Sequence, residues 1–238
     1  MIKPILFNTE MVRAILDGEK TVTRRIIKPA GKNADHIAAL TEEHTGRLIG
    51  MVNRDKDGAV LSDVNPPYEK GDILYVRETW NCLRLGNAGS GYKTEYWYKA
   101  DDTENNPDDR WRPSIHMPKE AARIWLKVTD VRAEQLQDIT AEDLYREGIV
   151  FNVPPCLENE KQWPEGFDGW DKSRQEQWFG DQARADYIAS TVMAQEALRD
   201  FKKLWDSTIK EQDRNKHGWD ANPWVWVIEF EKMENTDK

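Results

Sequence analysis

A cluster of reactive and charged side chains lies near the start of the chain. Residues 18–25 read Gly-Glu-Lys-Thr-Val-Thr-Arg-Arg. Lys20, Thr23, Arg24 and Arg25 are therefore close together in the sequence. A threonine hydroxyl is a weak nucleophile and needs a base, and a lysine can be that base if burial or a neighbouring cation lowers its pKa. These residue types fit the hydrolysis of an amide without a metal ion. The alternative is a solvated strand start whose threonines favour extended backbone.

A helix before this cluster and a strand through it must position these side chains. Asn8 or Thr9 can cap the helix, and Gly18 supplies the left-handed residue that commonly ends one. The β-branched residues after Lys20 predict a strand. Side chains three residues apart on a flat strand face opposite ways. Lys20 and Thr23 can therefore act together only if the backbone after Gly18 turns or bulges.

The composition is that of a polar protein large enough for one domain with an insertion. Of the 238 residues, 39% are hydrophobic and 32% are charged, and the mean hydropathy is -0.82. We therefore predict a single domain over residues 1–238 without a membrane-spanning segment. The start of the chain lacks the apolar run and cleavage site of a signal peptide, which predicts a cytoplasmic protein.

The cysteines and histidines do not form a metal-binding pattern. Cys82 and Cys156 lie far apart, so they fit neither a disulfide framework nor a zinc site and are predicted to be free thiols. His116 has no second histidine or cysteine at ligand spacing. We therefore expect no metal ion and no other cofactor.

The charge balance favours a small partner over a long polyanion. The formal net charge of -9 opposes attraction to a nucleic-acid backbone, which predicts weak or no binding of long nucleic acid. A local basic patch survives within that total and consists of Lys20, Arg24, Arg25 and Lys28, with Arg77 as a candidate to join it. Such a patch can hold one phosphate or a polar base. An ordinary solvated face is the alternative.

The middle of the chain predicts mainly strands. A hairpin is indicated at 47–52 and 59–61, across a polar turn that ends in Asp-Gly. Further strands are predicted at 73–80, 94–100, 123–131 and 224–231. A glycine-rich loop is predicted at 81–91 and an acidic surface loop at 101–109. Residues 34–40 fit either a short helix or irregular structure.

A short helix with clear end signals is predicted from Thr140 to Glu147. Thr140 can cap it, Asp143 can complete a capping box, and Gly148 can end it. Glu147 then lies in the last turn, at the negative end of the helix dipole. A carboxylate is unfavourable there unless a cation lies opposite, which makes Glu147 a candidate site residue.

An insertion is predicted at about 150–215. Proline, tryptophan, glycine and acidic residues indicate irregular structure at 153–180, and helical spacing resumes at 181–209. The predicted apolar face of that helix consists of Tyr187, Ile188, Val192, Leu198, Phe201, Leu204 and Trp205.

Four further segments follow the Lys20 segment in a characteristic order. They are Gly71-Asp72 before ILYVRETW, WRPSIHMP at 111–118, LQDITAEDLYREGI at 136–149 and DANPWVWVIEF at 220–230. In this order they resemble the ASCH domain, a PUA-like family, and most closely its larger, phage-type members. The resemblance implies an α+β fold: a mixed PUA-like β-barrel with flanking helices and a helical insertion before the last strand.

The resemblance also implies an activity. The family's bacterial acetylcytidine amidohydrolase has a G-x-K-T-x-T-x-R segment that residues 18–25 match position by position. Its catalytic lysine, threonine and glutamate then correspond to Lys20, Thr23 and Glu147. This implies a metal-independent hydrolase that acts on the amide bond of N(4)-acylated cytosine nucleosides and releases cytidine and a carboxylic acid.

Several catalytic roles remain open at this point. Glu147 can hold Lys20 in place, donate a proton to the departing amine or activate water. Thr23 can attack the acyl carbon and form an acyl-threonine that water then clears. A direct attack by water activated by Glu147 is the competing route.

The predicted substrate contacts combine cationic, polar and aromatic residues. They are Arg24, Arg25, Arg77, Trp80, Ser114, His116 and Trp224, and Trp111 and Trp219 are further aromatic candidates. With 11 tryptophans in the chain, packing in the core is the alternative for each ring.

Two other functions fit the same family resemblance. One is a PUA-like module that binds RNA or a modified base without converting it, and the other is an RNA-cleaving ASCH protein. A binding module has no need of a lysine and a glutamate that converge on a threonine, and the acidic total disfavours long RNA. We therefore expect a nucleoside as the partner.

Overall fold

The computed structural model describes residues 1–45, 47–87, 91–102, 110–149 and 171–234. Within these ranges the chain is an α+β protein, as predicted. The strands are β1 (Ile2–Leu6), β2 (Val22–Ile26), β3 (His36–Thr41), β4 (Leu48–Arg54), β5 (Val60–Asp63), β6 (Ile73–Arg77), β7 (Trp80–Asn87), β8 (Gly91–Tyr98), β9 (Trp125–Gln135) and β10 (Trp224–Lys232). The α-helices are α1 (Thr9–Leu16), α2 (Ala141–Arg146), α3 (Lys172–Thr208) and α4 (Arg214–His217).

The central sheet has five strands in the order β1-β6-β9-β10-β2. Strands β1 and β6 are parallel, and the other neighbours are antiparallel. In the described ranges β1 and β2 are the two edges of an open sheet, so the closed barrel that the resemblance implies is not confirmed. A three-stranded sheet, β3-β4-β5, and a two-stranded ribbon, β7-β8, complete the strand structure of these ranges.

The central sheet packs apolar side chains on both faces. On one face Ile228 and Phe230 of β10 join a core with α1, β1, β6 and β9. On the other face Val225 and Val227 join a core with α2 and the last part of α3. Because paired residues on neighbouring strands point to the same face, β2 residues opposite Ile228 and Val227 face opposite cores.

Several predicted elements are confirmed. The hairpin over 47–61 forms between β4 and β5, and the later predicted strands correspond to β8, β9 and β10. Thr140 and Asp143 form the predicted capping box of α2, and Gly148 follows with a φ of 82°. None of the helices in the described ranges has the length and apolar character needed to cross a lipid bilayer.

Two predictions for the middle of the chain were wrong, and one predicted strand is shorter than expected. Residues 34–40 lie mostly in β3, which pairs with β4. Residues 81–91, predicted as a loop from their glycines, lie mostly in β7, where hydrogen bonds to β8 override that signal. The strand predicted at 73–80 ends at Arg77, where Glu78 turns inward to a bidentate ion pair with Arg123 at 2.9 and 3.0 Å.

The insertion differs from its prediction in where the helix begins. Helix α3 begins at Lys172 because the side chain of Asp171 caps it by accepting a hydrogen bond from the Arg174 amide. Phe201 and Trp205 are buried as predicted, whereas Val192 and Leu198 are 48% and 37% exposed, against their predicted place in the core.

Of the two cysteines predicted to be free thiols, Cys82 is a free cysteine. Other predictions fall on parts that the structure does not describe. Cys156, residues 103–109 and 150–170, and the side chains of Tyr187 and Ile188 lie outside the described residues.

Candidate active site

A tight turn after α1 brings the Lys20 segment against the end of α2. Asn8 caps α1 by accepting the Met11 amide, and Gly18 follows the helix with a φ of 81°. The amide of Lys20 then donates to the carbonyl of Ala14 at 3.0 Å. An isolated antiparallel bridge then pairs Lys20 with Glu147.

Lys20 and Glu147 form a buried ion pair. Lys20 Nζ lies 2.6 Å from Glu147 Oε2 and donates to the Glu147 carbonyl oxygen at 2.8 Å. The Lys20 side chain is 0% exposed. Since Glu147 is the C-cap of α2, Lys20 is a cation opposite the carboxylate at this helix end. Two of the three ammonium hydrogens are used in these bonds, which leaves one for another partner.

Burial sets the charge behaviour of Lys20. Removal from water lowers the pKa of Lys20 below its ordinary value, and this outweighs the opposing attraction of Glu147. The positive charges of Arg25 and Arg24 lower the Lys20 pKa further. A lysine with a lowered pKa can release and accept a proton closer to neutral pH, as general base catalysis needs.

Arg24 lies among three carboxylates. It donates to Glu147 Oε1 at 3.1 Å through Nη1, and its Nη2 lies 3.0 Å from Asp143 Oδ2 and 3.5 Å from Glu134 Oε2. The sequence predicted Arg24 as a substrate contact. The structure uses the guanidinium to fix the second oxygen of Glu147, so Arg24 positions that carboxylate.

The carboxylates around Arg24 belong to a larger charged network. Burial acts to raise the pKa of Asp143, but hydrogen bonds from Thr140 and the charges of Arg24 and Arg132 lower it overall. Arg132 also pairs with Glu134 and Glu229, and Glu229 pairs with Arg146. Glu147 is therefore held at the end of a fixed array of charges, which keeps its orientation defined.

Thr23 lines a small cavity beside this pair. The cavity has a volume of about 90 Å³, and its walls include Thr23, Arg24, Arg25 and Glu147. Thr23 is 3% exposed, and its hydroxyl makes no hydrogen bond to another described residue. It points to the same face of the sheet as Ile228, its partner on β10. The structure brings Thr23 and Glu147 to one cavity, and Lys20 contacts Glu147.

The rest of the cavity wall was not predicted from the sequence. It consists of Met11 from α1 and of Phe201, Leu204, Trp205 and Thr208 from the last turns of α3. The sequence indicated Phe201, Leu204 and Trp205 as apolar core. Helical spacing identifies such a face but does not tell which end of the sheet it covers.

Arg25 and Arg77 lie on either side of the last residues of β1. Arg25 donates to the Leu6 carbonyl at 2.7 Å, and its guanidinium carbon lies 5.2 Å from the centroid of the Phe7 ring. Arg77 pairs with Leu6 in the parallel β1–β6 ladder and donates to the Ile115 carbonyl at 3.2 Å. The predicted polar residues Ser114 and His116 flank Ile115, so they lie beside Arg77.

The tryptophans lie in different places. Trp80 is 4% exposed and packs against Met117 and Ala121 in a small separate core. Trp219 packs edge-on against Phe201 at 6.1 Å between ring centroids. Trp111 and Trp224 line two other cavities, of about 560 and 660 Å³. Neither Trp80 nor Trp224 lines the Thr23 cavity, and their predicted contact with substrate stays a prediction.

No family model, curated protein or solved structure matches this chain. Within the described ranges, no group of three or more histidine, cysteine, aspartate or glutamate side chains is arranged to hold a metal ion. The functional interpretation therefore rests on the side chains around Thr23 and on the resemblance of their segments to the ASCH domain.

Proposed function

We propose that this protein is a cytoplasmic, metal-independent amidohydrolase of the PUA-like ASCH type, which deacylates N(4)-acylated cytosine nucleosides such as N(4)-acetylcytidine. The observation that carries the proposal is the buried Lys20–Glu147 pair next to the cavity of Thr23, whose hydroxyl makes no hydrogen bond within the described residues. A nucleophile, a lysine with a lowered pKa and a fixed carboxylate are the groups that acyl transfer from nitrogen to oxygen requires.

The proposed reaction begins with Thr23. Lys20 in its neutral form accepts the hydroxyl proton of Thr23, and the Thr23 oxygen bonds to the acyl carbon. The bond between that carbon and N4 of cytosine then breaks, and N4 takes the proton and leaves as free cytidine. Water hydrolyses the acyl-threonine, which yields the carboxylic acid and restores the Thr23 hydroxyl.

Glu147 holds the lysine in the proposed mechanism. One of its oxygens accepts from Lys20 and the other from Arg24, so its orientation is set from both sides. Glu147 also lines the cavity, where it can direct the water of the second step. The competing route uses the same carboxylate to activate water for direct attack on the amide.

The small size of the cavity supports binding of the acyl end of the substrate there. A volume of about 90 Å³ corresponds to roughly three water molecules at about 30 Å³ each. An acyl group fits that space and a nucleoside does not. The apolar rings and chains from α3 suit a short alkyl tail. We assign the nucleoside to Arg25, Arg77, Ser114 and His116, which lie near the end of β1.

The test is turnover of acetylcytidine by the purified protein, with cytidine release followed by chromatography. Lys20→Ala, Thr23→Ala and Glu147→Gln are each expected to lower kcat/KM by at least about a hundredfold. Thr21→Ala is the matched control, because Thr21 belongs to the same segment and does not line the cavity. A folded protein without activity on acetylcytidine contradicts the proposal.

Mass spectrometry distinguishes the two routes. An acyl adduct on Thr23, trapped by acid quench during turnover, supports the threonine nucleophile. Full activity of Thr23→Ala together with an inactive Glu147→Gln supports direct attack by water and removes Thr23 from the mechanism.

A non-catalytic PUA-like module that binds RNA or a modified base is the second candidate. This candidate is favoured by the contacts of Glu147. Each of its carboxylate oxygens already accepts a hydrogen bond from a cation, as in a structural ion pair. This candidate requires ligand binding without turnover. The RNA-cleaving alternative requires cleavage of RNA by the same Lys20 site.

A further inference from the structure

A second cavity lies at the other end of β2, apart from the Thr23 cavity. It has a volume of about 660 Å³ and is formed by residues 27–29, by residues 34–37 at the start of β3, and by residues 216–217 and 221–224 before and within β10. Lys28, which the sequence grouped with Arg24 and Arg25, and Trp224, a substrate contact predicted from the sequence, line this cavity and not the one beside Thr23.

The charged groups of this second cavity are mainly basic. Lys28 and Lys216 are exposed and form no ion pair with any residue in the described ranges. Asp35 is the one carboxylate among the described lining residues, and its Oδ2 lies 3.3 Å from Nδ1 of His36. Apart from its two histidines, the described lining carries two positive charges and one negative charge, in a chain whose formal net charge is -9.

The positive charge of Lys28 affects His217, which lines the same cavity. Burial lowers the pKa of His217, and the positive charge of Lys28 lowers it further, so Lys28 is near enough to act on the imidazole. Asp213 opposes this effect only in part. The backbone of His217 is fixed, because its carbonyl accepts a hydrogen bond from Trp205 Nε1 at 2.9 Å. The positive potential is thus not cancelled within the cavity, which favours an anionic ligand.

Apolar side chains also line the cavity. Trp224 is only partly buried, and Pro29 and Ile37 are further apolar lining residues. A nucleic-acid base of any kind can stack on an indole face. Lysine ammonium groups bind phosphate as point charges.

We propose that this cavity binds a mononucleotide with a terminal phosphate, the phosphate at Lys28 and Lys216 and the base against Trp224. The acidic total charge makes one phosphomonoester a better ligand than a long strand, because only a few phosphates can be neutralised together. This site does not depend on the chemistry proposed for Thr23, so either proposal can fail alone.

The experiment is calorimetric titration with cytidine 5′-monophosphate, cytidine and inorganic phosphate at low salt. Cytidine 5′-monophosphate is expected to bind at least about ten times more tightly than cytidine or phosphate alone, because it contacts both the lysines and the indole of Trp224. The doubly substituted Lys28→Ala, Lys216→Ala protein is expected to lose at least about tenfold of that affinity. Trp224→Leu is expected to lower the affinity for the nucleotide and to leave the affinity for inorganic phosphate unchanged.

The matched control removes two exposed lysines outside the cavity, with Lys56→Ala and Lys70→Ala combined. This protein has the same net charge as the cavity variant and is expected to bind like the wild type. Equal loss of affinity in the control and the cavity variant, equal binding of cytidine and its monophosphate, or no binding of the monophosphate overturns the proposal. Circular dichroism of both double variants tests their folding, and because all four lysines are exposed, loss of fold is not expected.

Discussion

Lys20 is held in a position that stability alone does not favour. A buried ion pair loses the hydration of both charges, and its mutual attraction often does no more than offset that loss. Lys20 has no exposed surface, and its pKa is lowered although Glu147 lies 2.6 Å away. A buried lysine costs more free energy in a core than an apolar side chain does, and here its carboxylate partner Glu147 lines the same cavity as Thr23. This arrangement is the physical reason for preferring a catalytic role.

The pH dependence of activity tests that role. In the proposed mechanism the neutral amine is active, so kcat/KM is expected to rise as the pH rises through the Lys20 pKa, which lies below its ordinary value of 10.5. Arg25→Met removes a positive charge that lowers this pKa, so the rise should move to higher pH. The measurement is the pH profile of kcat/KM for acetylcytidine.

The control for this profile is Arg47→Met, which removes an exposed positive charge outside the cavity. Its profile is expected to match that of the wild type. A shift of the rise to lower pH in Arg25→Met, or an equal shift in the control, contradicts the assignment of the rise to Lys20.

At the scale of elements, the junction between α1 and α2 depends on Gly148. It has a φ of 82°, and a Cβ there would lie 2.8 Å from Ala14 Cβ and 3.1 Å from Lys20 Cβ. Gly18 has a similar φ of 81°, but a Cβ there would meet nothing within 4 Å. The two glycines therefore separate the cost of left-handed backbone from the cost of a clash.

We expect Gly18→Ala to lower the free energy of unfolding by about 1–2 kcal/mol, the usual cost of left-handed backbone in a residue with a Cβ. Gly148→Ala should cost more than that, because the clash adds to the same strain. Ala14→Gly removes one clashing atom and is expected to restore part of the loss when combined with Gly148→Ala. Urea denaturation measures all of these, and equal losses for the two glycine variants would show that no clash exists.

Helix α3 is the element that closes the Thr23 cavity. Leu204→Ala removes part of the wall, so we expect kcat/KM for longer N(4)-acyl groups, such as hexanoyl, to rise relative to acetyl. Leu198→Ala is the control, since Leu198 lies on the same helix, is 37% exposed and is not part of the cavity wall. A ratio of hexanoyl to acetyl activity that is the same in both variants argues against an acyl cavity under α3.

These elements also show what the sequence can and cannot predict. The cap at Asn8, the capping box at Thr140 and the helix end at Gly18 are local signals, and all three are confirmed. Strand β7 was missed because its glycines indicate a loop, and only its pairing with β8 makes it a strand. The same limit applies to the site. Lys20, Thr23 and Glu147 were identified by motif, whereas the α3 residues that cover them depend on contacts distant in sequence.

On the scale of the whole molecule, the net charge and its distribution favour a nucleoside as the ligand over long RNA. The net charge of -9 repels a polyanion. The basic residues that the sequence grouped into one patch are divided in the structure. Lys20 and Arg24 are buried among carboxylates, and Lys28 lies in a separate cavity. A continuous track of cations for a strand of RNA is therefore not assembled from these residues.

We accordingly expect binding of long RNA to be weak, strongly dependent on salt and nearly indifferent to sequence. A neutral nucleoside has no repulsion to overcome, so acetylcytidine binding to Thr23→Ala, in which turnover is blocked, should change little between low and physiological salt. Titrations of both ligands, followed by tryptophan fluorescence at the two salt concentrations, measure this difference. Tight RNA binding that persists at physiological salt, together with no response to the nucleoside, contradicts the amidohydrolase proposal and favours a PUA-like RNA-binding module.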